Sequence, residues 1–311
     1  MFKKENTDKM KGISIICIIL HHIVQQILNP GILTPFKGIG YLFVSIFLFL
    51  SGYGLMKSYM KKENYLQDFK KRRLMKIYMP FLLVNLVHLI INIFIKGKEY
   101  TFKSFLFNLT GMHLMSSAMW YMITILFWYL IFYIVCKISK KNNEKIWIRV
   151  LGISIIYFTC CYIMGKSKNW YDTSFIFPIG VLVGLNEDKM NQILKNKYCF
   201  KLVVVTILFV ITFLLNYSKE GLIFVAIRSV AAITFTILFI LMIMKMDLSD
   251  NKISVFMGSI SFELYLIHDR LLNILDINGY IYPLSLVVYF ILIILLSILL
   301  KKVCNIIYRI N

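Results

Sequence analysis

Long apolar runs alternate along this chain with short polar segments that are mostly basic. A helix needs roughly 20 apolar residues to cross a bilayer at 1.5 Å per residue, and most of the runs approach that length. The pattern predicts ten helical spans, at 12–28, 39–56, 77–95, 119–136, 147–164, 174–185, 200–216, 222–244, 255–272 and 282–300. The sixth is short and carries Pro178, Gly180 and Gly184. No loop is long enough for a soluble domain, so any activity must live in the helical bundle and its short loops.

Composition agrees with the pattern. Of the residues, 59% are hydrophobic and 16% charged, and mean hydropathy is +0.75. Soluble domains hold their apolar fraction near half. The expected fold is therefore an all-α polytopic transmembrane bundle, with residues 1–311 as a single domain. The formal net charge of +20 would suit nucleic acid in a soluble chain. Here the Lys and Arg lie between apolar runs, where they set topology and touch lipid headgroups; no nucleic-acid partner is expected.

Counting those charges tests the doubtful sixth span. With ten spans and an inner N-terminus, inner segments hold 26 Lys and Arg and outer loops hold 8. Removing the sixth span cuts the split to 19 against 15. The positive-inside rule therefore favours ten spans with both termini cytoplasmic. The basic N-terminus resembles a signal peptide, but Gln25-Gln26-Ile27-Leu28-Asn29-Pro30 offers no small-residue cleavage site. It reads as a retained first helix. The six cysteines lie in or beside apolar runs without zinc-type spacing. They read as reduced, membrane-buried small side chains, and no metal is expected.

Within this apolar chain the ionisable residues carry the information. His22 lies eleven residues after Lys11, roughly 16 Å along a helix and near mid-bilayer. An ionisable group at that depth is costly and usually functional. Histidine is the side chain that titrates near neutral pH, which suits a general base or proton relay. Adjacent His21 faces another side of the helix, so one of the two points at any given site. The alternative is a histidine pair filling a polar spot in helix packing.

Two other constellations stand out. The inner loop Lys70-Lys71-Arg72-Arg73-Leu74-Met75-Lys76 is a topology anchor. Arg73 and Lys76, three residues apart, also share a helix face and suit a polyphosphate. Lys61 and Lys62 match no motif and read as topology determinants. In the ninth span Ser261, Tyr265 and His268 fall at i, i+4 and i+7, a polar stripe that indicates an inward surface. Glu263, Asp269 and Arg270 lie in the same span. The bland reading pairs Asp269 with Arg270 as structural charges near the outer interface. Asn85, His88, Asn92 and Arg228 are further intramembrane polar residues. Trp120-Tyr121 opens the fourth span, where an aromatic belt is the default. Ser51, Gly52 and Gly54 in the second span permit close helix approach.

Taken in order, these pieces resemble the acyltransferase-3 family of integral-membrane acyltransferases. Asp8-x-x-Lys11-Gly12 with His22 is similar to the family's first helix. Phe47-Leu48-Phe49-Leu50-Ser51-Gly52-Tyr53 resembles its aromatic-Ser-Gly signature. Arg72-Arg73-Leu74-Met75-Lys76-Ile77-Tyr78-Met79-Pro80 resembles its Arg-x-x-Arg-Ile-x-x-Pro loop. Trp120-Tyr121, Phe177-Pro178-Ile179-Gly180 and Ser261 to His268 resemble later landmarks. The chain departs from the pattern where Lys11 and Lys76 replace Arg, and no Pro follows His268. A stand-alone form without an extracytoplasmic hydrolase-like domain is expected.

The resemblance implies transfer of an acyl group, usually acetyl, from cytoplasmic acyl-CoA to a hydroxyl of an extracytoplasmic or lipid-linked saccharide. His22 would serve as base, with Glu263 and His268 as further candidate catalytic groups. Lys11, Arg72, Arg73 and Lys76 would hold the acyl-CoA donor, acetyl-CoA in the usual case. Trp120, Tyr121, Ser261 and Tyr265 would contact substrate. The expected location is the bacterial cytoplasmic membrane, with membrane lipid and the saccharide acceptor as partners; a homo-oligomer is compatible with it. The competing class is a transporter or flippase for a lipid-linked saccharide, which His88, Arg228 and Glu263 would also suit. Against it stand the absence of an internal repeat and of paired broken helices.

Overall fold

The computed structural model describes residues 3–27, 30–139, 142–216, 221–245, 251–275 and 282–310. Among them there is no β-strand. They form thirteen α-helices, eleven on the predicted runs and two, α4 and α8, in connecting segments: α1 Lys4–Gln26, α2 Gly40–Lys61, α3 Met75–Phe94, α4 Phe102–Thr110, α5 Trp120–Ser139, α6 Asn143–Ile163, α7 Ile176–Leu185, α8 Glu187–Lys195, α9 Tyr198–Leu215, α10 Gly221–Lys245, α11 Lys252–Ser259, α12 Ser261–Leu275 and α13 Tyr282–Ile310. Among the described residues seven helices are long and apolar enough to cross a membrane, and α7 is a shorter apolar one.

Three features were not anticipated. The ninth run is two helices, broken at Ile260. At the break the Gly258 carbonyl accepts from Ser261 Oγ at 2.9 Å as well as from the Ile260 amide. The loop 96–118 contains α4, capped by Thr101 Oγ1, which accepts from the Ser104 amide at 3.2 Å. Gly111 closes α4 at φ 83°, a conformation that glycine adopts without steric cost. Residues Lys70–Leu74 form a wide π-helical turn leading into α3.

The short sixth run forms α7, ten residues or roughly 15 Å long. Pro178 sits in its first turn, where a missing N–H costs nothing. The irregular chain before it is buried, and Asp172, Thr173 and Ser174 are each at most 1% exposed. Several of its polar groups find partners in protein, while Asp172 Oδ1 and Ser174 Oγ have no hydrogen-bond partner among the described residues. Arg228 donates through Nε and Nη2 to Asp172 Oδ2 at 3.0 and 2.7 Å, and Ser154 Oγ donates to the Ser174 carbonyl at 3.0 Å. Irregular backbone in a membrane protein persists only when satisfied in this way.

Small residues set the central helix crossings. A Cβ on Gly52 would meet the Phe177 carbonyl, and one on Gly180 would meet the Phe49 carbonyl. The α2–α7 pair therefore packs backbone to backbone. A Cβ on Gly12 would strike the Ser254 carbonyl, and one on Gly258 the Asp8 carbonyl. That second crossing lays α1 against α11 and so brings α1 alongside α12. Around this centre, α9 contributes no buried residue and presents apolar side chains outward. Tyr53 Oη donates to Glu187 Oε1 at 2.6 Å, and Lys57 pairs with the same carboxylate. These contacts tie the end of α2 to the start of α8.

Candidate functional site

The α1–α11 crossing decides which residues meet. It leaves His22, five turns into α1, facing the middle of α12. The His22 ring centroid lies 5.0 Å from that of His268, and His22 Nδ1 is 3.9 Å from Asp269 Oδ1. Asp269 is 6% exposed and also accepts from Ser116 Oγ. A carboxylate beside an imidazole holds its orientation and favours the imidazolium when it forms. Asp269 is thus a functional candidate that the structural pairing reading had set aside. The expected partner, Arg270, instead donates to the Val84 carbonyl at 2.8 Å and to Asn85 Oδ1, fastening α12 to α3. One signal was available: Ser261, Tyr265 and Asp269 fall at i, i+4 and i+8 on one face.

His21 has a different task. Its Nδ1 is 3.0 Å from the Phe36 carbonyl and 3.1 Å from the Gly38 amide, and its Nε2 is 3.1 Å from Gln25 Nε2. It pins the α1–α2 connection. His268 is fully buried, with Nδ1 2.8 Å from the Tyr265 carbonyl. That contact makes Nδ1 the donor and leaves Nε2 an acceptor with no hydrogen-bond partner among the described residues.

Two cavities flank this centre. One, of about 320 Å³, is lined by His21, His22, Trp120, Lys168, Arg228 and Tyr265 among others. The Tyr41 ring covers the Arg228 guanidinium at 3.7 Å, and with the Asp172 pair it holds that buried cation in place. The other, of about 350 Å³, lies toward the N-terminal end of α1, lined by Lys11, Ser51, Tyr121, Ser261, Glu263 and Tyr265 among others. Sequence alone could not divide the candidates this way. Glu263, two turns before Asp269, belongs to the second cavity and does not join His22. Lys11 lines that cavity with its ammonium 3.4 Å from Asp8.

The basic loop forms a separate surface at the same end. Lys62, Asp68, Arg72, Arg73 and Lys76 line a hollow of about 430 Å³. Arg72 pairs with Asp68 at 3.0 Å. Arg73 donates to Ser58 Oγ at 3.0 Å and lies 5.7 Å from the Tyr65 ring. Burial pushes the Tyr65 phenol up to about 12, so the ring stays neutral under the guanidinium. Lys76 lies 6.0 Å from the Tyr308 ring. The hollow is a cluster of cations with few counter-charges, a suitable seat for phosphate. Lys62, expected to act in topology alone, lines it. Ile77 lines the Lys11 cavity, so the loop and that cavity adjoin.

The arrangement combines a polyphosphate-ready end, an interior cavity and a histidine–carboxylate pair facing a second cavity. Such a set can move a group from a phosphate-bearing donor to a second substrate. A family model described as an acyltransferase domain matches residues 5–302. No curated protein and no solved structure matches the chain. With that match over nearly its whole length, and with seven helices able to cross a membrane, the chain belongs to the acyltransferase-3 family and is a multi-pass membrane acyltransferase.

Proposed function

We propose that this protein transfers an acyl group, acetyl in the first instance, from cytoplasmic acyl-CoA to a hydroxyl of an extracytoplasmic or lipid-linked saccharide. The observation that carries the reading is the opposition of two ends: a basic hollow at one and His22 beside Asp269 at the other. The charge asymmetry of the loops puts the basic end in the cytoplasm, with both termini there. The CoA phosphates rest on Arg72, Arg73 and Lys76, and the pantetheine arm reaches along the Lys11 cavity toward Tyr265. The acceptor occupies the cavity lined by His22 and Trp120, whose indole offers an apolar face to a sugar ring.

His22 removes the acceptor hydroxyl proton as the oxygen attacks the thioester carbonyl. Asp269, 3.9 Å from Nδ1, favours the imidazolium by its charge and leaves Nε2 as the base. When the tetrahedral centre collapses, the C–S bond breaks and the CoA thiolate takes up the proton. His268, neutral and buried against His22, positions that ring.

The test incubates purified protein in detergent with acetyl-CoA and follows free thiol, with and without a saccharide acceptor. Release of CoA that increases with acceptor supports the reading. A protein that only moved a lipid-linked saccharide would release none. Comparing the O-acetyl content of surface polysaccharide in cells with and without the protein identifies the acceptor class.

A further inference from the structure

The two interior cavities share one side chain. Tyr265 lines both the Lys11 cavity and the His22 cavity, and it is 3% exposed. Its ring lies 5.0 Å from that of Tyr121 at 67° and 5.4 Å from that of His268. Its hydroxyl donates to the Ala118 carbonyl. Tyr121, 5% exposed, lines the Lys11 cavity, and Ala118 lines the His22 cavity. The Tyr265–Ala118 bond therefore runs along the boundary between them. Each cavity falls within the range of about 300–1,000 Å³ common for ligand pockets, and Tyr265 is the lining residue the two have in common.

We propose that Tyr265, backed by Tyr121, is a septum that separates two half-sites and keeps water of one from reaching the other. Its bulk closes the passage, and its hydroxyl bond to Ala118 holds the ring across it. Only a small group at the end of a ligand in the Lys11 cavity can come beside the ring and meet a group in the His22 cavity. The consequence for catalysis rests on the acyl-transfer reading above. With the septum in place, a thioester in the Lys11 cavity is shielded from water in the other. Without it, water adds to the thioester carbonyl, the C–S bond breaks, and the products are a free carboxylic acid and the CoA thiol. A narrow septum also limits transfer to short acyl groups.

The test does not depend on chemistry. Ser261→Cys places a thiol in the Lys11 cavity and Ser117→Cys one in the His22 cavity. Each is labelled with a membrane-impermeant thiol reagent in vesicles of both orientations, against the parent chain with its six native cysteines. Each thiol should react from one face, and the two from opposite faces. Adding Tyr265→Ala should make both react from both faces, and Tyr265→Phe should keep the one-sided pattern. Where Tyr265→Ala does not yield folded protein, Tyr265→Leu is read instead. One-sided labelling that persists in the folded small-residue variant overturns the septum, as does two-sided labelling in the parent. In parallel, acetyl-CoA hydrolysis without acceptor should rise several-fold in Tyr265→Ala, and butyryl-CoA should become a better donor. If labelling behaves as expected while no variant, the parent included, consumes acetyl-CoA, the septum stands and the acyl-transfer reading fails.

Discussion

The two ends of the site handle charge in opposite ways. At the basic end the charges are open to solvent: the Arg72 side chain is 64% exposed and its partner Asp68 57%. At the histidine end Asp269 is 8% exposed at its side chain and Asp172 0%. Solvated ion pairs contribute little to stability, whereas a buried charge is strongly destabilising once its partner is gone. The open end therefore suits recognition of a mobile, charged donor by several replaceable contacts. The closed end suits chemistry, because a desolvated carboxylate acts strongly on the one imidazole it faces. Substitutions should separate accordingly, with losses in turnover at one end and in donor binding at the other.

The contrast breaks entirely if the crossing that serves both ends is removed. Gly258→Leu places a side chain against the Asp8 carbonyl. It should abolish recovery of folded protein, read as loss of the monodisperse peak in detergent size exclusion. Next in size is the proposed base. His22→Ala should reduce kcat about a hundredfold or more with donor binding retained. Asp269→Asn, which removes a charged contact of roughly 1.5–3 kcal/mol, should reduce it about tenfold or more. His21→Ala should be milder, since His21 holds a loop. Initial-rate kinetics on the three variants decide the assignment, and a larger kcat loss in His21→Ala than in His22→Ala would reverse it.

At the open end the effect should be smaller and fall on binding. Arg73→Ala should weaken acetyl-CoA binding about tenfold, again one charged contact. Lys76→Ala should do somewhat less. Lys61→Ala, outside the hollow, should leave binding unchanged. A titration across these variants checks it, and equal small effects from all would indicate a diffuse basic patch. The smallest effect concerns the contact of Tyr53 and Lys57 with Glu187. Burial raises the Glu187 carboxyl, but bonds that include Lys57 and Tyr53 outweigh it and hold the group down at about 2. Its contribution to stability is present above the ordinary carboxylate range and is lost as pH falls toward that value. Glu187→Gln should therefore melt slightly below the parent at neutral pH, with the difference shrinking on acidification. Thermal denaturation between about pH 7 and pH 3 measures this.

Much of the fold was legible because a bilayer leaves the backbone few choices. Helices appeared on every predicted run, including the short sixth, and Gly52 marked a close crossing before its partner was known, whereas Gly54 faces open space. The ninth run misled because hydropathy does not register a one-residue break. Nothing local distinguishes Ile260 from its neighbours until Gly258 must seat against α1. On the same helix, reading a face at i, i+4 and i+7 found His268, which turns its Nδ1 to its own backbone. The i+8 position held Asp269, which faces His22.

By itself the sequence determined that this is a helical membrane protein, which segments are helical, and that ionisable groups lie deep among them. Those properties follow from local length, hydropathy and charge, because lipid penalises any unsatisfied backbone. The tertiary structure decided which of those groups meet. His22 comes from α1 and Asp269 from α12, nearly 250 residues on, and they face each other only because Gly12 and Gly258 let α1 and α11 touch. Apolar helices are all equally content in lipid, so their pairing rests on steric fit and buried polar contacts between distant residues.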